Sequence, residues 1–425
     1  MTEALINTES AVSPLTDRVP LRRLLALLLP ATTAMYGLFQ GIQQILLPAQ
    51  IEHIDPASKV GNLALLTTLA AIASMIALPV GGAVSDRTRS RFGRRTPWIV
   101  IMSACSAVLM VAMGLSTSLP ALALSYMALW FVANFYQGAI SAILPDRVPV
   151  DRRGVASAVI GLGTPLGILF AVNLVSRVSQ VAGYAIVGGL FLAASLLLVA
   201  GAPEGSSREF ARSAVDPSTG RRRDTVAAFF AAFGARDFRF AFFSRAALFL
   251  SYFTVSGYLF YTMQDYIGAQ NLPGGNVAIA VSTLSTISVV TWTVIATAAG
   301  WLADRLDRRK LFVGVSAAGM GLSMLVPILM PTWPGMIIYS ILSGAFVGIY
   351  FAVDLAVMSL VLPDKANEGR DFGILAVATG LPQILSSVIA GALITWLGGY
   401  IALYCFGAVC AVISGVLIMR VRSVR

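Results

Sequence analysis

Twelve stretches of this chain are each apolar over the twenty or so residues that a helix needs to cross a bilayer. They run over 24–48, 60–84, 98–118, 121–144, 154–177, 182–201, 238–264, 276–300, 311–330, 334–361, 371–395 and 399–420. Hydrocarbon offers no partner to a free backbone N–H or C=O, so each such stretch must be helical. The expected fold class is an all-α membrane protein with twelve transmembrane helices. Composition agrees: 12% of residues are charged, where a soluble domain carries about 25%. The eleventh stretch is the least regular, because Gly373, Gly380, Pro382 and Gly391 interrupt it.

The net charge of +10 falls almost wholly in alternate loops. With the N-terminus inside, the inner segments hold Arg18, Arg22 and Arg23, then Arg87, Arg89, Arg91, Arg94 and Arg95, then Arg147, Arg152 and Arg153. They also hold the arginines between spans six and seven, Arg305, Arg308, Arg309 and Lys310, Lys365 and Arg370, and Arg420, Arg422 and Arg425. The outer segments hold only Lys59 and Arg177. Basic residues collect on the cytoplasmic side of short loops. A multi-pass protein of the inner (cytoplasmic) membrane with both termini in the cytoplasm follows, surrounded by lipid and expected to be a monomer. The basic charge therefore reports topology, and no nucleic-acid partner is expected.

The chain divides into a disordered cytoplasmic tail (1–23), a six-helix bundle (24–201), a cytoplasmic linker (202–237), a second six-helix bundle (238–420) and a short tail (421–425). Cys105, Cys405 and Cys410 lie inside apolar stretches and His53 is the single histidine. No disulfide or metal-ligand spacing results. No cofactor, nucleotide-binding loop or catalytic constellation is present, so the chain does not read as an enzyme or an ATP-driven pump.

The two halves repeat. Asp86-Arg87 recurs as Asp304-Arg305, 218 residues later, and Asp146 recurs as Asp364 at the same offset. Pro165 and Pro382 are 217 apart. A shared offset over three landmarks marks a tandem duplication, hence two pseudo-symmetric bundles.

The residues 81–96, GGAVSDRTRSRFGRRT, carry a more specific signal. Gly82, Asp86, Arg87, Gly93, Arg94 and Arg95 match the G-x-x-x-D-R-x-G-R-R loop of the major facilitator superfamily, with RSRF inserted. The second copy keeps Gly300, Asp304, Arg305, Arg308 and Arg309 but has Asp307 in place of the glycine. The chain thus resembles that superfamily over residues 24–420. The longer run SDRTRSRFGRRTPW resembles the glycoside–pentoside–hexuronide symporters and their sucrose-transporter relatives. Span two lacks the acidic residues of the sodium-coupled, melibiose-type members. The resemblance implies two rocking bundles, with spans 1, 4, 7 and 10 around a central cavity.

An alternating-access protein needs a cytoplasmic seam held by contacts that can break, and ion pairs suit this. The expected gate comprises Asp86, Arg87, Arg94, Arg95, Asp146, Asp304, Arg305, Arg308 and Asp364. Asp146 is expected to pair with Arg87 or Arg94. The competing reading, that these charges only fix topology, is preferred for Arg89 and Arg91.

Polar residues inside spans each need a reason. Tyr36, Gln40 and Gln43 share a stripe on span 1, and Asn134 and Gln137 lie on span 4. Tyr258 and Tyr261 on span 7 sit 218 residues after Gln40 and Gln43, which suggests matched cavity walls. With Tyr350 these are the expected substrate-binding residues, since amides and hydroxyls bind hydroxyls. Asp354 in span 10 is expected near mid-depth without an evident basic partner. Burial without a partner favours the neutral carboxyl, which makes Asp354 a candidate proton carrier and Asp265 the next. The competing reading is a structural carboxyl. Pro165 and Pro382 are expected to form hinges. The expected function is proton-coupled transport of a small polar solute, a sugar or glycoside. The alternative is a proton-coupled exporter of drugs or metabolites, for which the partial match Thr164-Pro165-Leu166-Gly167 in span 5 is the only support.

Overall fold

The computed structural model describes residues 19–208, 233–306, 308–360 and 368–422. Among them there is no strand, and twelve membrane-length helical spans follow one another. They are α1 (Leu21–Ile54), α2 (Lys59–Arg87), α3 (Thr96–Leu115), α4 (Leu119–Arg147), α5 (Arg153–Val175) and α6 (Gln180–Gly201). The second half begins with α7, in two pieces, Arg236–Ser256 and Leu259–Asn271, bent by 46°. Then come α8 (Val277–Leu306), α9 (Arg309–Leu329), α10 (Trp333–Leu360), α11 (Glu368–Trp396) and α12 (Gly399–Met419). Most of the expected linker, and all of the first eighteen residues, lie outside the described residues.

The packing repeats as the sequence does. In the first half α1 packs on α5 and α6, α2 on α4, and α3 on α6. In the second half α7 packs on α11 and α12, α8 on α10, and α9 on α12. The halves meet along α2–α11 and α5–α8, which are themselves related by the same symmetry. In lipid, helices associate by close van der Waals approach over small residues. Gly138 of α4 shows why: a Cβ there would lie 2.4 Å from the Leu78 carbonyl oxygen of α2. Gly344 does the same in α10, where a Cβ would lie 2.4 Å from the Ser288 oxygen of α8.

Several spans deviate from regular helix, among them α1, α5 and α7. The run Ile42–Leu46 in α1 and Thr262–Gly268 in α7 are π-helical. Such bulges widen a turn and re-aim side chains, and they concentrate at functional sites. The break in α5 falls at Leu162, between Gly161 and Gly163, three residues before the proline expected to cause it. A proline clashes with the turn that precedes it, which is where this break lies. Pro382, by contrast, sits inside an unbroken α11, so the expected second hinge is not a break.

Candidate functional site

Where α1, α2, α4, α7 and α11 converge, a cavity of about 100 Å³ opens between the halves. Gln40, Gln43 and Gln44 form one wall and Ser256, Gln383, Ser386 and Ser387 another, with Trp130 at the side. Gln44 ties the wall together: its amide donates to Gln40 at 2.7 Å, and its carbonyl accepts from Ser285 of α8 at 2.6 Å. Trp130 is held edge-on by Phe39, with ring centroids 5.2 Å apart. Ligand sites commonly measure about 300–1,000 Å³. In this conformation the cavity has room only for waters.

The expected stripe divides. Gln40 and Gln43 line the cavity. Tyr36 and Gln137 are half-buried beside it and do not line it. Asn134 is buried and donates to the Trp130 carbonyl one turn back, at 2.8 Å. Tyr258 and Tyr261 correct the expectation of matched cavity walls. The Tyr261 hydroxyl crosses the seam to the Pro48 carbonyl at 3.0 Å, and that of Tyr258 donates to the Ser387 carbonyl of its own half at 3.1 Å, with the Val60 carbonyl across the seam at 3.4 Å. The bend at Gly257 swings this end of α7 away from the cavity, so a constant sequence offset does not carry equal positions.

These tyrosines belong to a clasp at the arginine-poor end of the molecule, which sequence reasoning missed. Lys59 at the start of α2 meets Asp265 of α7 at 2.7 Å and Glu52 of α1 at 3.2 Å. Asp265 also accepts from Tyr400 of α12 at 2.8 Å. Glu52 accepts from Gln264, and Asn173 of α5 donates to Thr286 of α8 at 2.7 Å. Asp265, expected as a second proton carrier facing the cavity, is instead one half of this ion-pair network. Lys59 carried a signal, as one of two bases expected on that side, and it was read only as a topology marker.

Asp354 is 2% exposed, as expected for an intramembrane carboxyl. One expectation about it fails. It has a basic partner, because Arg245 of α7 ion-pairs with its Oδ2 and also donates to Thr379 of α11 at 3.1 Å. It also lies on the arginine-rich side of the centre of α10, six residues or about 9 Å before Leu360. At 28 residues α10 is about 42 Å long, against a core of about 30 Å. Arg245 and Asp354 each start from that same end, which is how they meet. Tyr350, one turn away, is packed edge-on against Phe249, with its hydroxyl buried beside Asp354. Phe249 precedes the cavity residue Phe253 by one turn, and Thr379 precedes Gln383 by one turn. The ion pair is therefore the next layer beneath the cavity.

At the arginine-rich end the gate residues organise around Arg95, which is 4% exposed. Its guanidinium bonds Asp86, Asp146 at 2.9 Å and Ser85 at 2.5 Å. Asp146 thus pairs with Arg95, not with Arg87 or Arg94: the buried arginine at the start of α3 is the one within reach of both α2 and α4. All these contacts lie within the first half. Arg87 is exposed and Arg94 half-buried and engaged. Glu204, also unforeseen, accepts from the N–H groups of Arg95 and Thr96 at 2.8 and 3.2 Å, capping α3 with a carboxylate as helix N-termini favour. Arg305 lies over the Trp301 ring at 5.3 Å and Arg308 is exposed. The side chain of Asp304 and the whole of Asp364 lie outside the described residues.

Two six-helix halves about a polar central cavity, joined by breakable bonds, define a membrane transporter. The Major Facilitator Superfamily model matches residues 29–296 and again 241–425; the chain belongs to that family. Two solved structures share the fold. A peptide transporter POT in complex with sulfate is 13% identical, with a TM-score of 0.71 over 93% of this chain and 94% of that one. A mutant of the same transporter in complex with alafosfalin is also 13% identical, with a TM-score of 0.71 over 93% of each chain. No curated protein sequence matches the chain.

Proposed function

We propose that this protein is a proton-coupled secondary transporter of a small, neutral, polyhydroxylated solute, a sugar or glycoside, across the cytoplasmic membrane. The arginine-rich end faces the cytoplasm by the distribution of positive charge. The observation that carries the reading is the Asp354–Arg245 pair one layer beneath a cavity walled by glutamines and serines. A buried carboxylate needs a partner. Protonation of Asp354 removes the attraction and frees Arg245, so one proton is worth a change in the contact between α7 and α10. Those are two helices of the moving half. Amide and hydroxyl walls exchange hydrogen bonds with sugar hydroxyls without taking up net charge. Trp130 offers a flat face for a ring.

The cavity must enlarge to admit such a solute, which requires the halves to rock apart. A peptide is the less suitable cargo, because the described lining of the cavity has no charged side chain to meet its termini. The experiment is a thermal-stabilisation screen of the purified protein over sugars, glycosides, dipeptides and cationic drugs, followed by uptake of any hit into proteoliposomes. The reading expects stabilisation by a neutral glycoside and uptake that rises with an inwardly directed proton gradient. Stabilisation by dipeptides or drugs alone would overturn the substrate class.

A further inference from the structure

A second concavity lies away from the central one. A groove of about 800 Å³ lies on the outer surface of the second half, between α7, α11 and α12. Its wall is apolar almost throughout: Phe243, Ala247 and Leu250 of α7, Leu381 and Leu385 of α11, and Leu417 of α12. Phe243, Leu381 and Leu385 are exposed, so the groove opens sideways to hydrocarbon. Polarity returns only at one end, where Arg236 and Arg239 complete the lining. Arg236 lies over the Phe240 ring at 5.5 Å. Arg420 follows Leu417 by one turn of α12 and is exposed. Asp237, beside Arg236, accepts from the Arg422 N–H at 3.1 Å.

The dimensions are those of a lipid. From Arg239 to Leu250 is eleven residues, about 17 Å along the helix, and one leaflet of hydrocarbon is about 15 Å deep. Basic pockets between helices at the cytoplasmic surface suit anionic headgroups. We propose that this groove binds a phospholipid with an anionic headgroup, its phosphate at Arg236 and Arg239 and its acyl chains against α7 and α11. The site is built on the reverse of the ion pair. Arg245 precedes the groove residue Ala246, and its partner Thr379 follows the groove residue Ala378. A lipid held here braces the two helices that carry those residues.

The test is native mass spectrometry of the full-length protein in mild detergent with equimolar palmitoyl-oleoyl phosphatidylglycerol and phosphatidylcholine. Phosphatidylglycerol should be retained severalfold over phosphatidylcholine. Arg236→Gln/Arg239→Gln should bring the two near parity, and Ala247→Trp, which fills the groove, should lower retention of both. Arg89→Gln/Arg91→Gln, which removes equal charge elsewhere, should leave the preference unchanged. Equal retention by the wild type, or an equal loss in the control pair, would overturn the site. So would complete competition by soluble glycerophosphoglycerol, because the apolar groove would then have no part in binding.

Discussion

At the scale of single residues, the arginines of one loop have different tasks. Arg95 is buried against two carboxylates and a serine, whereas Arg89 is exposed. Asp86 and Asp146 keep some access to water, so losing Arg95 costs its charged hydrogen bonds, about 1.5–3 kcal/mol. Arg95→Ala should therefore lower the thermal unfolding midpoint clearly, and Arg89→Ala should leave both midpoint and transport unchanged. Equal midpoints for the two variants would show that burial of Arg95 contributes nothing. On the cavity wall, Gln40→Ala and Gln43→Ala each remove a hydrogen bond of about 1 kcal/mol, roughly fivefold in affinity. Ligand titration of the purified variants checks this. Tyr258→Phe should leave affinity unchanged, because its hydroxyl is committed to the Val60 and Ser387 carbonyls.

At the scale of helices, what holds each half together is close approach over small residues. Gly138→Val drives a side chain into the Leu78 carbonyl of α2 and should destabilise by about 1–3 kcal/mol or more. Gly82→Val, where a Cβ meets nothing within 4 Å, should be tolerated. Unfolding of the two variants in the same detergent separates them. Spans, their number and the tandem repeat were legible in the sequence because hydropathy and a fixed offset are properties of the linear chain. The bend of α7 was not, and it moved Tyr258 and Tyr261 from the cavity to the seam. Nor was the Asp354–Arg245 pair, since residues 109 positions apart meet only once α7 and α10 are laid side by side.

At the scale of the whole molecule, the described bonds between the halves cluster at the arginine-poor end, so that end is closed. Lys59, Glu52 and Asp265 are partly exposed, and each such pair contributes less than about 1 kcal/mol. A latch of this strength can open on every cycle. Lys59→Gln should shift the equilibrium toward the form open at this end. Spin labels at Ser58→Cys and Trp396→Cys, with the native cysteines replaced, should then report a larger long-distance population. An unchanged distribution would make the clasp structural.

The proposed function requires that a proton on Asp354 drive the cycle. In Asp354→Asn the carboxyl is permanently neutral, and in Asp354→Asn/Arg245→Gln the stranded cation is removed as well, which guards against misfolding. The measurement is solute accumulation in proteoliposomes with and without an imposed pH gradient, alongside solute exchange at equal pH. The double variant should exchange solute at a rate near that of the wild type but gain no accumulation from the gradient. Gradient-driven accumulation by either variant would contradict it.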